Sequence, residues 1–132
     1  MDAFISHSSS NREAAGELER ALEADGLSVW LDDSDIRLGA LLGKELQSSI
    51  LECRVLVLLW SAAAAQSRYV NSEWLMALHQ DRFILGCTLD EAPLPQCLAN
   101  NIFLNLRTAG EDAPARLARA IRDADGPPRW RR

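Results

Sequence analysis

The stretch Arg54-Val55-Leu56-Val57-Leu58-Leu59-Trp60 constrains the fold most, because every residue from Val55 to Trp60 is apolar and none alternates with a polar one. A strand with one wet face alternates; an unbroken apolar run belongs to a strand covered on both faces, as in a parallel sheet between two layers of helices. The run is far short of the roughly 20 residues a membrane span needs. It is therefore read as the central strand of a soluble α/β domain.

The flanking segments fit that reading. Asp2 to Ser6 is short and apolar enough for a first buried strand, and Ser8-Ser9-Ser10-Asn11 offers capping side chains for a helix with Ala14, Leu18, Ala21 and Leu22 inward. Asp25-Gly26 ends that helix, with Gly26 suited to the left-handed cap. Leu27 to Leu31 is the second strand, and the polar loop Asp32 to Gly39 leads to a helix with the stripe Leu42, Leu46, Ile50 and Cys53. After the central strand, Ser61 to Gln66 leads into a helix over about Ser67 to Gln80. Its stripe Val70, Trp74, Ala77 and Leu78 is expected to pack inward, which puts Glu73 at the edge of the buried face. Arg82 to Thr88 is the fourth strand, a short helix is allowed near Gln96 to Asn100, and Ile102 to Leu106 is the fifth strand. The last helix spans Glu111 to Ala124, with Ala113, Leu117, Ala120 and Ile121 inward. The expected domain is 1–125, and residues 126–132, Pro- and Arg-rich, read as an exit linker, a truncation point or a frayed tail.

Five strands alternating with helices make an open parallel sheet with right-handed crossovers and helices on both faces, and the common order for five is 2-1-3-4-5. Ligands of such flavodoxin-like sheets bind beyond the carboxyl ends of the strands, where the order reverses between strands 1 and 3. The loops there are Ser6 to Asn11 and Ser61 to Gln66, with Asp32 to Gly39 beside them. Tyr69 and Glu73, one turn apart at the start of the third long helix, are candidates to face that crevice; a helical glutamate elsewhere is most simply a solvated one.

A net charge of −5 with 25% charged residues argues against a general affinity for nucleic acid or anionic lipid. Cys53, Cys87 and Cys97 form no C-x-x-C pair, so they read as reduced and structural, and with no signal peptide the expected compartment is the cytoplasm. No metal site is expected. No G-x-G-x-x-G or G-x-S-x-G is present. Gly39 to Glu45 imitates a P-loop but has one residue too few between its glycines and Glu45 where Ser or Thr must stand. A phosphoacceptor receiver needs an aspartate where Trp60 and Ser61 stand. His7 and His79 have no carboxylate at a triad spacing; His79 reads as a surface residue, and His7 equally as a polar ligand contact or a plain loop histidine.

Asp2-Ala3-Phe4-Ile5-Ser6-His7-Ser8 resembles the first motif of TIR (Toll/interleukin-receptor homology) domains, Val29-Trp30-Leu31-Asp32 followed by Gly39 resembles their second strand and BB loop, and Ser67-x-Tyr69-Val70-x-x-Glu73 is similar to their helix C motif. The likeness runs in order over roughly residues 2 to 106. It implies the same flavodoxin-like sheet and one of two functions, an NAD+-cleaving enzyme or a non-catalytic signalling adaptor.

Under the enzymatic reading the resemblance makes Glu73 the catalytic carboxylate and Tyr69 the aromatic that holds the nicotinamide side. Cleaving the bond between nicotinamide and ribose builds positive charge on the sugar, as in glycoside hydrolysis, and the leaving group is already a cationic pyridinium, so one carboxylate suffices without a general acid. Ser6, His7, Ser8 and Ser9 form the rim expected to bind substrate, the hydroxyls and amides around Ser8, Ser9 and Ser10 suiting the pyrophosphate as well as helix capping. Arg37 is a mobile cation for the same ligand or a solvated loop residue. Trp30 is read first as core and second as a ligand contact. NAD+ is then substrate rather than cofactor, and the expected function is an NAD+ hydrolase, with or without cyclisation to a cyclic ADP-ribose, acting as an assembly-activated immune or signalling effector. Other TIR domains would be met through the Asp32 to Gly39 loop, in a homo-oligomer or filament. The alternative is an adaptor or virulence mimic that works only through TIR to TIR contacts, for which Glu73 is dispensable.

Overall fold

The structure is a computed structural model and describes residues 1–31, 49–98, 103–108 and 110–124. The Asp32 to Gly39 loop with Arg37, the stripe positions Leu42 and Leu46, and the 126–132 tail lie outside the described residues.

Five strands, β1 (Ala3–Ser6), β2 (Val29–Leu31), β3 (Val55–Trp60), β4 (Phe83–Thr88) and β5 (Phe103–Asn105), form one parallel sheet in the order β2-β1-β3-β4-β5. The helices are α1 (Arg12–Ala24), the single turn α2 (Ala62–Ala65), α3 (Arg68–His79) and α4 (Ala113–Asp123), with 3-10 turns at Ser9–Asn11 and Gln96–Leu98. The order is the one expected, with its reversal between β1 and β3. No helix among the described residues is long and apolar enough to cross a membrane.

The unbroken apolar run behaves as its composition requires. All six residues of β3 are buried, and their period-2 alternation divides them between two cores. Val55, Val57 and Leu59 join Ala3, Ile5 and Cys87 against Ala15, Leu18 and Leu22 of α1 and Leu117, Ala118 and Ile121 of α4. Leu56, Leu58 and Trp60 join Phe4 on the other face, against Val70, Trp74 and Ala77 of α3 and Ile50 and Cys53. Trp30 pairs in register with Phe4, and their rings stack at 6.4 Å, so Trp30 is a half-buried part of this second core.

Helix ends follow the local chemistry. Gly26 has φ +91°, and its N–H and that of Leu27 bond back to Glu23 and Leu22, the two-bond closure that needs a left-handed residue. At the amino ends of the strands, opposite the switch-point rim, Arg54 bonds Asp2 at 2.8 Å and the carbonyl of Ile121. Asp2 is held below the usual carboxylate range by the Ser28 backbone N–H and then by Arg54.

Two expectations are corrected. Leu78 points outward and is 43% exposed, and Glu73, expected at the edge of the buried face, is 1% exposed. The buried stripe of α3 is Val70, Glu73, Trp74 and Ala77, an i, i+3, i+4, i+7 set. Apolarity alone assigns the fourth place to Leu78 and leaves the glutamate out; the helix is rotated by less than a third of a turn from that reading.

Gly86 of β4 has no room for a side chain, since a Cβ there would lie 2.0 Å from the Phe103 ring. Gly86→Ala is therefore expected to lower stability by about 1–3 kcal/mol, the usual cost of overpacking. Urea unfolding measures it, and Phe103→Leu in the same chain should recover part of the loss.

Candidate functional site

The carboxyl ends of β1 and β3 meet the first turns of α3, and strand parity decides which β1 side chain arrives there. Phe4 belongs to the core on the α3 side and Ile5 to the opposite one, so Ser6, two residues after Phe4, returns to the α3 side. Its hydroxyl donates to Oε1 of Glu73 at 2.7 Å, joining residues 67 apart in sequence inside the protein. Ser6 is fully buried and Glu73 1% exposed. The bond is short for a hydroxyl donor, and it gives a buried acceptor the partner it needs.

The placement of α3 rests on its cap and on one asparagine. Ser67 accepts from the Val70 N–H at 3.2 Å as N-cap. Asn71 donates to the carbonyls of Ser67 at 2.8 Å and Ala65 at 3.1 Å and accepts from Trp74 Nε1 at 2.9 Å. It thereby ties the end of α2 to α3 and fixes the indole next to Glu73. In the sequence Asn71 shows itself only as an amide three residues ahead of a tryptophan.

A second polar link spans the switch point. Ser61, N-cap of α2, donates to Asn11 Oδ1 at 2.7 Å while accepting from the Ala64 N–H at 3.0 Å. The loop after β1 is thus bound to the loop after β3. Asp90, beyond β4, accepts from the Ala62 and Ala92 N–H groups, each at 2.9 Å, and these bonds hold its carboxyl below the ordinary range.

Of the expected rim residues, Ser6, His7 and Ser8 are buried while Ser9 and Ser10 are exposed. Ser8 spends its Oγ on the Ser10 N–H at 3.2 Å, capping the 3-10 turn before α1. Tyr69, one turn before Glu73, is half-buried. Trp30 lies in the α3-side core, and Arg37 falls outside the described residues. Grooves lie elsewhere on the described surface. One, of about 310 Å³, lies between β4, β5 and α4, and one, of about 480 Å³, on the outer face of α3; neither is lined by Glu73.

Other chemistries find little support here. Burial pushes the Cys87 thiol up to about 12 and the Cys53 thiol to about 11, so neither is a thiolate at neutral pH. Among the described residues no group of three His, Cys, Asp or Glu side chains is placed to hold a metal ion. Among the described residues the arrangement offers a carboxylate that accepts from a buried hydroxyl, one helical turn after a half-buried tyrosine, at the switch point of a parallel sheet.

Comparison with known proteins bears on the family and the fold. The chain is 34% identical over 74 residues to a protein of Methanobrevibacter olleyae named probable 2' cyclic ADP-D-ribose synthase TcpO. That match takes in 55% of this chain but only 22% of the relative. The fold superposes with a TM-score of 0.77 on the crystal structure of the TIR domain of the Toll-related receptor TRR-2 from Hydra magnipapillata, over 95% of this chain and 98% of that one, at 16% identity. The sequence profile of the TIR domain family matches residues 3–124, and the chain belongs to that family.

Proposed function

We propose that this chain cleaves NAD+ between nicotinamide and ribose, with Glu73 as the carboxylate that stabilises the charge developing on the sugar. The observation that carries the proposal is a glutamate buried to 1% exposure at the sheet's switch point, aimed by a hydroxyl. A helix that needed only packing would fill the i+3 place of its inward stripe with an apolar residue. The relative's name adds support, as making a cyclic ADP-ribose from NAD+ requires the same bond to break.

In the reaction the bond from ribose C1′ to the pyridinium nitrogen breaks and its electron pair stays on nitrogen, so nicotinamide leaves neutral. The ribosyl cation that remains is oxocarbenium-like, and a carboxylate close to it lowers the barrier electrostatically. Capture by water, with loss of a proton, gives ADP-ribose; capture by a nucleophile of the same molecule gives a cyclic product. Tyr69 offers a ring face one turn from Glu73. The Ser9 and Ser10 hydroxyls, exposed at the rim, suit the pyrophosphate better than Ser8, which is buried.

In the single chain the carboxylate is closed to solvent, so substrate reaches it only after the rim rearranges. This favours a domain switched on by assembly with other copies, a property that would suit an immune or signalling effector. The same burial also favours the competing reading, in which Ser6 and Glu73 are a structural pair in a non-catalytic TIR module.

The two readings separate in a nicotinamide-release assay on artificially clustered protein. Wild type is expected to consume NAD+, and Glu73→Gln to lose at least about 100-fold in kcat. The glutamine amide oxygen can still accept from Ser6, so its Tm should stay within a few degrees of wild type, whereas Glu73→Ala removes the acceptor and leaves a void. Equal turnover by wild type and Glu73→Gln, or none by clustered wild type, would sink the enzymatic reading. Tyr69→Ala should reduce turnover about 10-fold or more at little cost in Tm, because the side chain is only half-buried. A large fall in Tm with kcat preserved would instead make it a packing residue.

A further inference from the structure

We infer that Ser6 is a positioning residue for the Glu73 carboxylate rather than a contact for substrate. The inference rests on the NAD+-cleaving reading above and adds to it the group that makes the glutamate competent.

A serine hydroxyl has one proton to donate, and that of Ser6 goes to Glu73 Oε1 at 2.7 Å. A hydroxyl so engaged has no proton left for a ribose or phosphate oxygen, even where the rim opens to admit substrate. The two ends of the bond differ in stiffness. Ser6 ends β1, which lies between β2 and β3 and pairs with both, and Ser6 itself is in register with Leu58 in the fully buried central strand. Glu73 hangs on three rotatable side-chain bonds from a helix that Val70, Trp74 and Ala77 anchor. The strand therefore fixes where the carboxylate points. Holding a reacting group within a fraction of an ångström of its working position matters because displacement by about 1 Å can cost on the order of 100-fold in rate.

The test uses the clustered full chain with NAD+, comparing wild type, Ser6→Ala and Ser6→Cys at equal folded concentration measured by thermal melting. Ser6→Ala is expected to lose about 10- to 100-fold in kcat with KM within about threefold. Ser6→Cys, close in shape but a weak donor, should fall between it and wild type. In the Glu73→Gln background, adding Ser6→Ala should leave the Kd for NAD+ unchanged, since the serine does not touch it. Three results overturn the inference while leaving the NAD+ reading intact: both variants turning over like wild type, a loss that only follows the folded fraction, or a raised KM or Kd with kcat preserved, which marks a substrate contact. Failure of clustered wild type to release nicotinamide removes the NAD+ reading and this inference together.

Discussion

A carboxylate taken out of water into an apolar interface costs several kcal/mol unless donors meet it, and Ser6 meets Glu73 at 2.7 Å. The candidate site depends on that bond, and the bond depends on the frame around it. β1 must run beside β3, the side-chain alternation must return Ser6 to the α3 side, and α3 must begin where Ser67 and Asn71 set it. Shifting β1 by one residue would send Ser6 to the opposite core. The polar pair is thus held by the same apolar packing that excludes water from it.

Much of this frame is legible in the sequence. The run Val55 to Trp60 implies a strand with two covered faces, and the structure shows its side chains shared between two helix-backed cores. Gly26, Ser67 and the β-α alternation announce their roles through backbone geometry, capping and spacing, which are local properties. The phase of α3 is harder to read, because hydrophobicity assigns the inward face to Val70, Trp74, Ala77 and Leu78. The place given to Leu78 is taken by Glu73, which bonds to a partner 67 residues away. Strand pairing supplies that partner. No local pattern contains it.

The rim is legible by type and less so by role. Serines after β1 suggest both capping and anion binding. The fold gives Ser8 to capping, buries Ser6 against the glutamate and leaves Ser9 and Ser10 exposed. Trp30 looks like core or ligand contact, and its stacking on Phe4 gives it a core role. Asn71 and the Ser61 to Asn11 link shape the site without any motif to announce them, because an amide that bonds back to the preceding turn and a serine paired 50 residues away leave no recurrent spacing.

Under the proposed function, burial of the glutamate, its tether to β1 and its place at the switch point serve to hold a carboxylate ready for a cationic sugar. The most direct measurement is a crystal structure of the assembled Glu73→Gln chain with NAD+ bound. The account predicts the residue-73 side chain within hydrogen-bonding distance of the nicotinamide ribose, with the Tyr69 ring beside the nicotinamide. NAD+ bound elsewhere, or residue 73 still sealed in the core away from the ribose, would contradict it.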